Sequence, residues 1–141
     1  MCADKAELAR SFIRLIPQAR ALNMDILEIG EGIAVIRMPY DPELIGDPDT
    51  GVIHGGAVST LMDTCGGAAT MAHPSNPGGT ATISLRIDYL RGATPGQAIV
   101  ARAECHHVTR SVAFVRATAH DDDTGNPVAT ATGTFTVERK P

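Results

Sequence analysis

The sequence contains no tryptophan, three phenylalanines, two tyrosines and three cysteines among its 141 residues. The cysteines (Cys2, Cys65 and Cys105) are odd in number and follow no ligand-like spacing. This excludes a disulfide framework and a structural zinc site as the basis of the fold. We therefore expect reduced thiols. With so few aromatic side chains, any apolar pocket must be lined mainly by methionine, leucine, valine and alanine.

The sequence also lacks long apolar runs and clusters of basic residues. No stretch approaches the roughly 20 apolar residues of a membrane-spanning helix, and Met1–Glu7 has no signal-peptide core. We therefore expect a cytoplasmic protein without a membrane partner. The formal net charge is −4, and without a basic cluster we expect no binding to nucleic acid. The length suits one domain with a substantial core.

One long segment combines helical periodicity with almost no charge. After the glycine pair Gly55–Gly56, apolar residues recur at three- and four-residue spacing, namely Val58, Leu61, Met62, Cys65 and Ala69. Between His54 and His73 the only charged side chain is Asp63. A helix with so few charges is expected to be covered on most sides. Asp63 is therefore expected in a mostly dry environment.

Asp63 has two interpretations. It is either a hydrogen-bonded residue on a thin polar stripe or a catalytic carboxylate near a helix N-terminus. The unpaired N–H groups at Gly55, Gly56 and Ala57 can bind an oxyanion in the second case. That arrangement favours acyl transfer or another reaction that passes through an oxyanion.

The rest of the chain predicts a short helix and a series of strands. Residues 3–16 have helical periodicity up to Pro17, so residues 1–20 are an N-terminal helical segment and residues 21–141 a single domain. Alternating patterns predict strands at 22–29, 33–38, 80–90, 98–108, 111–119 and 127–138. Residues 39–53 are expected to form a loop that leads into the long helix. The pattern favours an α+β fold in which a curved antiparallel sheet of five to six strands wraps around one central helix.

His54–Gly55–Gly56, preceded by Gly51 and followed by Leu61, Asp63 and Gly67, resembles the signature of hotdog-fold acyl-CoA thioesterases. The similarity is greatest to the PaaI-like branch of the 4-hydroxybenzoyl-CoA thioesterase superfamily and extends from about residue 20 through Thr82–Arg91 to Gly133–Phe135. The resemblance implies a hotdog fold and thioester hydrolysis without a metal or cofactor. It also implies a homodimer joined through sheet edges, and homotetramers of such dimers are common in the family.

The resemblance further implies roles for single residues. Each active site would combine His54, Gly55 and Gly56 of one protomer with Asp63 of the other. The thioester oxygen would face the Gly56 N–H, with the Gly55 N–H as a second donor, and Asp63 would act as general base or nucleophile. Thr82 stands where relatives carry a hydroxyl that orients the water or the acid. His54 would contact the thioester or shape the turn.

Arg110 and Arg91 are the candidates for contact with the CoA phosphates, and each also fits an ordinary turn arginine. The loop asparagine of many relatives is replaced here by Pro48, between Asp47 and Asp49. The expected substrate is a small aryl-acyl or a short- or medium-chain acyl-CoA, which is hydrolysed to free acid and CoA. Two alternatives remain open: a non-catalytic acyl-CoA-binding module and a hotdog-fold hydratase or dehydratase.

Overall fold

A computed structural model describes residues 2–76 and 78–139. The N-terminal segment forms two helices, α1 (Cys2–Leu15) and α2 (Pro17–Ala21), where the sequence predicts one. Pro17 ends the first helix because it cannot donate a backbone hydrogen bond, and its fixed φ suits the first turn of the next helix. Both helices reach the core, since Ile13 is 4% and Ala19 2% exposed.

Six strands form one antiparallel sheet. They are β1 (Asp25–Gly30), β2 (Ile33–Met38), β5 (Thr82–Tyr89), β6 (Ile99–Val108), β7 (Val112–His120) and β8 (Ala129–Thr136). Their order across the sheet is β1-β2-β6-β7-β8-β5. This arrangement confirms the predicted sheet of five to six strands.

The segment predicted as a loop at 39–53 contains regular structure. It has a 3-10 turn at Pro42–Leu44 and a small separate hairpin of β3 (Ile45–Asp47) and β4 (Val52–Ile53). The Asp47 carboxylate builds the hairpin turn by accepting the Asp49 N–H at 3.0 Å and the Thr50 hydroxyl at 2.9 Å. The prediction missed the hairpin because its strands are too short to show an alternating pattern.

The long helix α3 (Gly55–Met71) packs across the sheet, as the sequence predicts. Its apolar face is fully buried, with Leu61, Met62 and Cys65 all 0% exposed. Close approach to the sheet depends on Gly66, where an added Cβ would lie 2.8 Å from Cζ of Phe135. The sheet also presents small side chains to the helix, including Ala34, Ala101, Ala103 and Ala113. No helix in the described part of the chain is long and apolar enough to cross a membrane.

The two edges of the sheet differ. The β1 edge is held against α1, where Arg10 donates to the Ile26 carbonyl at 3.2 Å. On the β5 edge, no other strand of the described residues pairs with the outer side of the strand. Ile83, Tyr89 and Leu90 are 51–56% exposed there. An open, apolar edge of eight residues is a surface that soluble proteins usually pair or cover.

Candidate active site

His54 caps the N-terminus of α3. Its Nδ1 accepts the Gly56 N–H at 2.8 Å, so the neutral ring carries its proton on Nε2. Gly56 is required for this contact because a Cβ there would lie 2.9 Å from Nδ1. One of the two donors expected for the oxyanion is therefore already bonded to His54.

The other donor, the Gly55 N–H, has no acceptor in the part of the chain that the structure describes. The Gly55 carbonyl accepts a hydrogen bond from the Tyr89 hydroxyl at 2.9 Å, and this contact holds Gly55 in place. It lines a groove of about 270 Å³ beside the open β5 edge, together with Tyr89 and Leu90. A free helix N-terminal N–H at the wall of a groove can stabilise a developing oxyanion.

Asp63 and Thr82 form the second part of the site. The Thr82 hydroxyl donates to Asp63 Oδ1 at 2.7 Å, which joins α3 to the start of β5. Of the two roles expected for the Thr82 hydroxyl, orienting the water or the acid, this contact fits the second. No donor among the described residues binds Oδ2, so that oxygen remains available to a reacting group.

Asp63 is half-buried, so it is more exposed than we expected for a residue on a helix with so few charges. The reason is that a cavity of about 210 Å³ opens beside it. The cavity wall contains both polar and apolar side chains. The polar ones are Gln18, Asp63, Thr64, Thr80 and Thr82, and the large apolar ones are Phe12, Ile13, Ile16, Met71 and Phe135. The leucine and valine lining expected from the composition is wrong, since phenylalanine and isoleucine take those places. A carboxylate beside apolar side chains at a cavity wall suits attack on the carbonyl of an acyl group.

Arg91 lies in a different arrangement from the one expected. Its Nη1 and Nη2 each donate to a carboxylate oxygen of Asp121 at 2.7 Å, and its guanidinium also donates to the Asn126 carbonyl. The Arg91 guanidinium holds the pKa of the Asp121 carboxyl well below its usual range. Arg91 thus fits the structural alternative, since its donors join two loops.

Arg110 lies in the exposed turn between β6 and β7, and no described residue accepts a hydrogen bond from its guanidinium. The register pairs Val112 with Thr136 and Thr82 with Phe135, so this turn and the Thr82 end of β5 lie at the same end of the sheet. Arg110 remains a candidate for phosphate contact.

Cys65 lies on the buried face of α3 and is not placed for catalysis. Its thiol donates to the carbonyls of Ala34 and Ala101 at 3.3 and 3.4 Å. Burial raises the pKa of the thiol to about 12, so almost no thiolate forms near neutral pH. Among residues 2–76 and 78–139, no three His, Cys, Asp or Glu side chains are grouped as a metal site.

Comparison with known proteins decides the family. A family model described as the thioesterase superfamily matches residues 50–128, more than half of the chain. The chain belongs to the thioesterase superfamily. The match includes α3 and every candidate residue from His54 to Arg110.

Individual relatives within the superfamily carry related names. Acyl-coenzyme A thioesterase PaaI of Escherichia coli is 31% identical over 91 residues, which are 63% of this chain and 60% of that relative. The match thus spans less than two thirds of PaaI. Medium/long-chain acyl-CoA thioesterase YigI of Escherichia coli is 25% identical over 139 residues, or 89% of this chain and 88% of that one.

Solved structures show the same architecture. A protein from Pseudomonas aeruginosa superposes with a TM-score of 0.83 at 37% identity, covering 94% of this chain and 98% of that one. The Escherichia coli PaaI protein from the phenylacetic acid degradation operon gives a TM-score of 0.85 at 22% identity, covering 99% of this chain and 97% of that one. The hotdog fold is confirmed.

Three residues at this thioesterase-superfamily site were not singled out from the sequence. Tyr89 anchors Gly55 through its hydroxyl, Phe12 lines the cavity, and Gln18 lines both the cavity and a groove of about 330 Å³ beside His54. The sequence offered one signal, since Tyr89 is one of only two tyrosines. Phe12 and Gln18 reach the site only because α1 and α2 fold back over α3, which no local pattern records.

Proposed function

We propose that the protein hydrolyses acyl-CoA thioesters to free acid and CoA, at a site shared by two protomers. The observation that carries the proposal is the Asp63–Thr82 hydrogen bond of 2.7 Å at the wall of a cavity that also has apolar side chains. Membership of the thioesterase superfamily and the names of the relatives support the same activity. The lining favours small aryl-acyl or short- to medium-chain acyl groups.

The geometry of β5 supports a shared site. Asp63 is bonded to Thr82 at one end of the strand, and Gly55 is bonded to Tyr89 at the other end. If two open β5 edges pair antiparallel about their midpoint, Thr82 of one protomer comes to lie opposite Tyr89 of its partner. Gly55 of the partner is then brought toward Asp63. A homodimer joined in this way completes the site and covers the exposed edge.

The Gly55 N–H is the oxyanion donor in this proposal, because the Gly56 N–H is held by His54. It lies at the positive end of the α3 dipole, which favours negative charge on the thioester oxygen. One such donor is worth about 2.7–4 kcal/mol of transition-state stabilisation. His54 contributes by fixing the turn and by presenting its Nε2–H.

Asp63 supplies the attacking group. Thr82 fixes Oδ1, and Oδ2 either takes a proton from a water that attacks the carbonyl carbon or attacks that carbon itself. In both routes the C–S bond breaks. When water attacks, the proton on Asp63 passes to the departing sulfur of CoA; when Asp63 attacks, CoA leaves as a thiolate that takes a proton from solvent. Direct attack first forms an acyl anhydride on Asp63, which water then cleaves to regenerate the carboxylate and release the acid.

The test is release of free CoA, followed with a thiol reagent over a panel of aryl- and alkyl-acyl-CoAs. The native protein is compared with Asp63→Asn and with Asp122→Asn, which removes an exposed carboxylate outside the site. We expect hydrolysis by the native protein and by Asp122→Asn, and loss of hydrolysis in Asp63→Asn.

Other outcomes would point to the alternatives. Tight binding of acyl-CoA without release of CoA would favour a binding module. Hydration of an unsaturated acyl-CoA with the thioester intact would favour a hydratase. Full activity in Asp63→Asn would return Asp63 to a structural role.

A further inference from the structure

The cavity beside Asp63 is elongated along α3. Asp63, Thr64, Gly67, Ala68 and Met71 all line it and follow one side of the helix. Eight residues separate Asp63 from Met71, so the wall is about 12 Å long at 1.5 Å per residue. The carboxylate therefore lies at one end of the wall and Met71 at the other.

The N-terminal helices cover this wall, and the chain in them runs in the direction opposite to α3. Gln18 lines both the cavity and the groove beside His54 at the start of α3, whereas Phe12 lines the cavity alone. Gln18 thus lies nearer than Phe12 to the His54 end of the wall. The Phe12 side chain is 48% exposed, so its ring lies between the cavity and solvent.

Phe12 is held there by its neighbours on α1. Ile13, which is 4% exposed, fixes the helix to the core, and Arg10 ties it to β1. Leu8 and Leu15 lie on the same helix, but they are 69% and 71% exposed and do not line the cavity. Among the α1 side chains that the structure describes, Phe12 is therefore the one large side chain that is both exposed to solvent and in contact with the cavity.

On the α3 wall of the cavity, Gly67 is a position where a small side chain would fit. A Cβ added at Gly67 would lie 3.8 Å from Cγ2 of Thr80 and 4.0 Å from Cε2 of Phe135, which is ordinary van der Waals contact. Gly66 next to it has no such room, as its Cβ would lie 2.8 Å from Phe135. Gly67 thus leaves a methyl-sized space in the cavity without being needed for packing.

We propose that Phe12 closes the far end of the acyl cavity and limits the length of the acyl chain that the protein accepts, with Gly67 setting the width. This inference rests on the proposed function, because it takes the cavity beside Asp63 as the acyl site. The substrate class is then an apolar, unbranched or arylacetyl chain that ends at the α1 ring. Chains longer than the cavity would meet the Phe12 ring.

The test is kcat/KM over a series of straight-chain acyl-CoAs of increasing length. We expect Phe12→Ala to raise the ratio of long-chain to short-chain kcat/KM by about 10-fold or more, since one methylene in such a pocket changes discrimination about 10- to 200-fold. Phe12→Trp and Gly67→Ala are expected to shift the preference toward shorter chains. Leu15→Ala, on the same helix but outside the cavity, is the matched control and keeps the native profile.

The inference is wrong if the native protein hydrolyses the series and Phe12→Ala, Gly67→Ala and Leu15→Ala all show its dependence of kcat/KM on chain length. Phe12→Trp and Gly67→Ala keep the test decisive if Phe12→Ala loosens α1. Calorimetric binding of the same acyl-CoAs to Asp63→Asn protein separates the two proposals. If Asp63→Asn binds acyl-CoAs selectively by chain length but the native protein hydrolyses none of them, the proposed hydrolase activity is wrong and the role of Phe12 stands. If no acyl-CoA binds at all, both proposals are wrong.

Discussion

Asp63 and Asp121 are two covered carboxylates with opposite surroundings. Asp121 is 2% exposed and accepts four hydrogen bonds, two from Arg91 and one each from the Thr94 and Asp123 N–H groups. Asp63 is half-buried and accepts one, from the Thr82 hydroxyl. The first carboxylate is completely satisfied within the chain, and the second keeps one oxygen free at the wall of a cavity.

The difference is the one expected between a structural carboxylate and the reactive carboxylate that we propose at Asp63. Hydrogen bonds to every oxygen of Asp121 stabilise its charge and leave nothing for a substrate. At Asp63, a single donor orients the group and leaves the other oxygen able to act on a thioester. The availability of the second oxygen, more than burial, distinguishes the two.

The largest expected effect comes from removing the charge at Asp63. Asp63→Asn is expected to lower kcat about 10²- to 10⁴-fold, because a positioned acid or base typically contributes that much. Urea unfolding should show little loss of stability, since one hydroxyl contact can be made to the amide oxygen. A variant that unfolds readily while retaining kcat per folded molecule would reverse the assignment.

Asp121→Ala is expected to affect stability rather than chemistry. Removing the carboxylate leaves the Arg91 guanidinium and the Thr94 and Asp123 N–H groups without their acceptor, so we expect a clear loss of folding free energy. Urea unfolding measures this change. Asp88→Ala, which breaks the exposed pair with Arg86 at 3.4 Å, is the matched control and should cost less than about 1 kcal/mol. Equal losses in the two variants would contradict the comparison.

Thr82→Val should weaken the site without unfolding it. The exposed strand position tolerates a β-branched apolar residue, but Asp63 loses its orienting donor. Hydrogen bonds to charged groups are worth about 1.5–3 kcal/mol, which corresponds to a loss of roughly 10- to 100-fold in kcat. Thr82→Ser keeps the hydroxyl and is expected to retain most activity. Similar kcat values in the two variants would make Thr82 a strand residue only.

The fold was predictable because its periodicities are local. The alternation in β5 to β8 and the three- and four-residue spacing in α3 follow from which faces are buried, and each pattern is long enough to identify its element. The hairpin at 45–53 was missed because its strands have three and two residues. The break at Pro17 was predicted as a helix end, although a second helix follows it.

The site was predictable only in part. The family resemblance gave Thr82 an orienting hydroxyl without deciding between the water and the acid, since nothing local relates Thr82 to Asp63, which lies 19 positions away. The hydrogen bond from the Gly56 N–H to His54 depends on the orientation of one histidine ring, and the ion pair of Arg91 with Asp121 joins residues 30 positions apart. Such contacts leave no periodic trace in a single sequence.

The pH dependence of stability offers a smaller test of the same comparison. Because the pKa of Asp121 is lower in the folded protein than the unfolded value of about 3.9, the folded state binds fewer protons in this range. Its contribution is fully present above about pH 5 and is lost as the pH falls through 4 and below. Asp121→Asn should therefore flatten the stability curve of the native protein below about pH 5. Parallel curves for the variant and the native protein would contradict this role of Asp121.

The smallest effect on activity is expected at the candidate arginines. Like the two carboxylates, they differ in whether their polar groups are already bonded within the chain. Arg91 donates to Asp121 and Asn126, whereas no described residue receives the Arg110 guanidinium. If Arg110 contacts a CoA phosphate at the surface, Arg110→Ala should raise KM several-fold with little change in kcat, because exposed ion pairs contribute about 0.2–1 kcal/mol. The increase should shrink at high salt, where exposed charges are screened. Arg37→Ala, an exposed arginine on β2, serves as the control, and an equal KM in the two variants at low salt would remove Arg110 from the site.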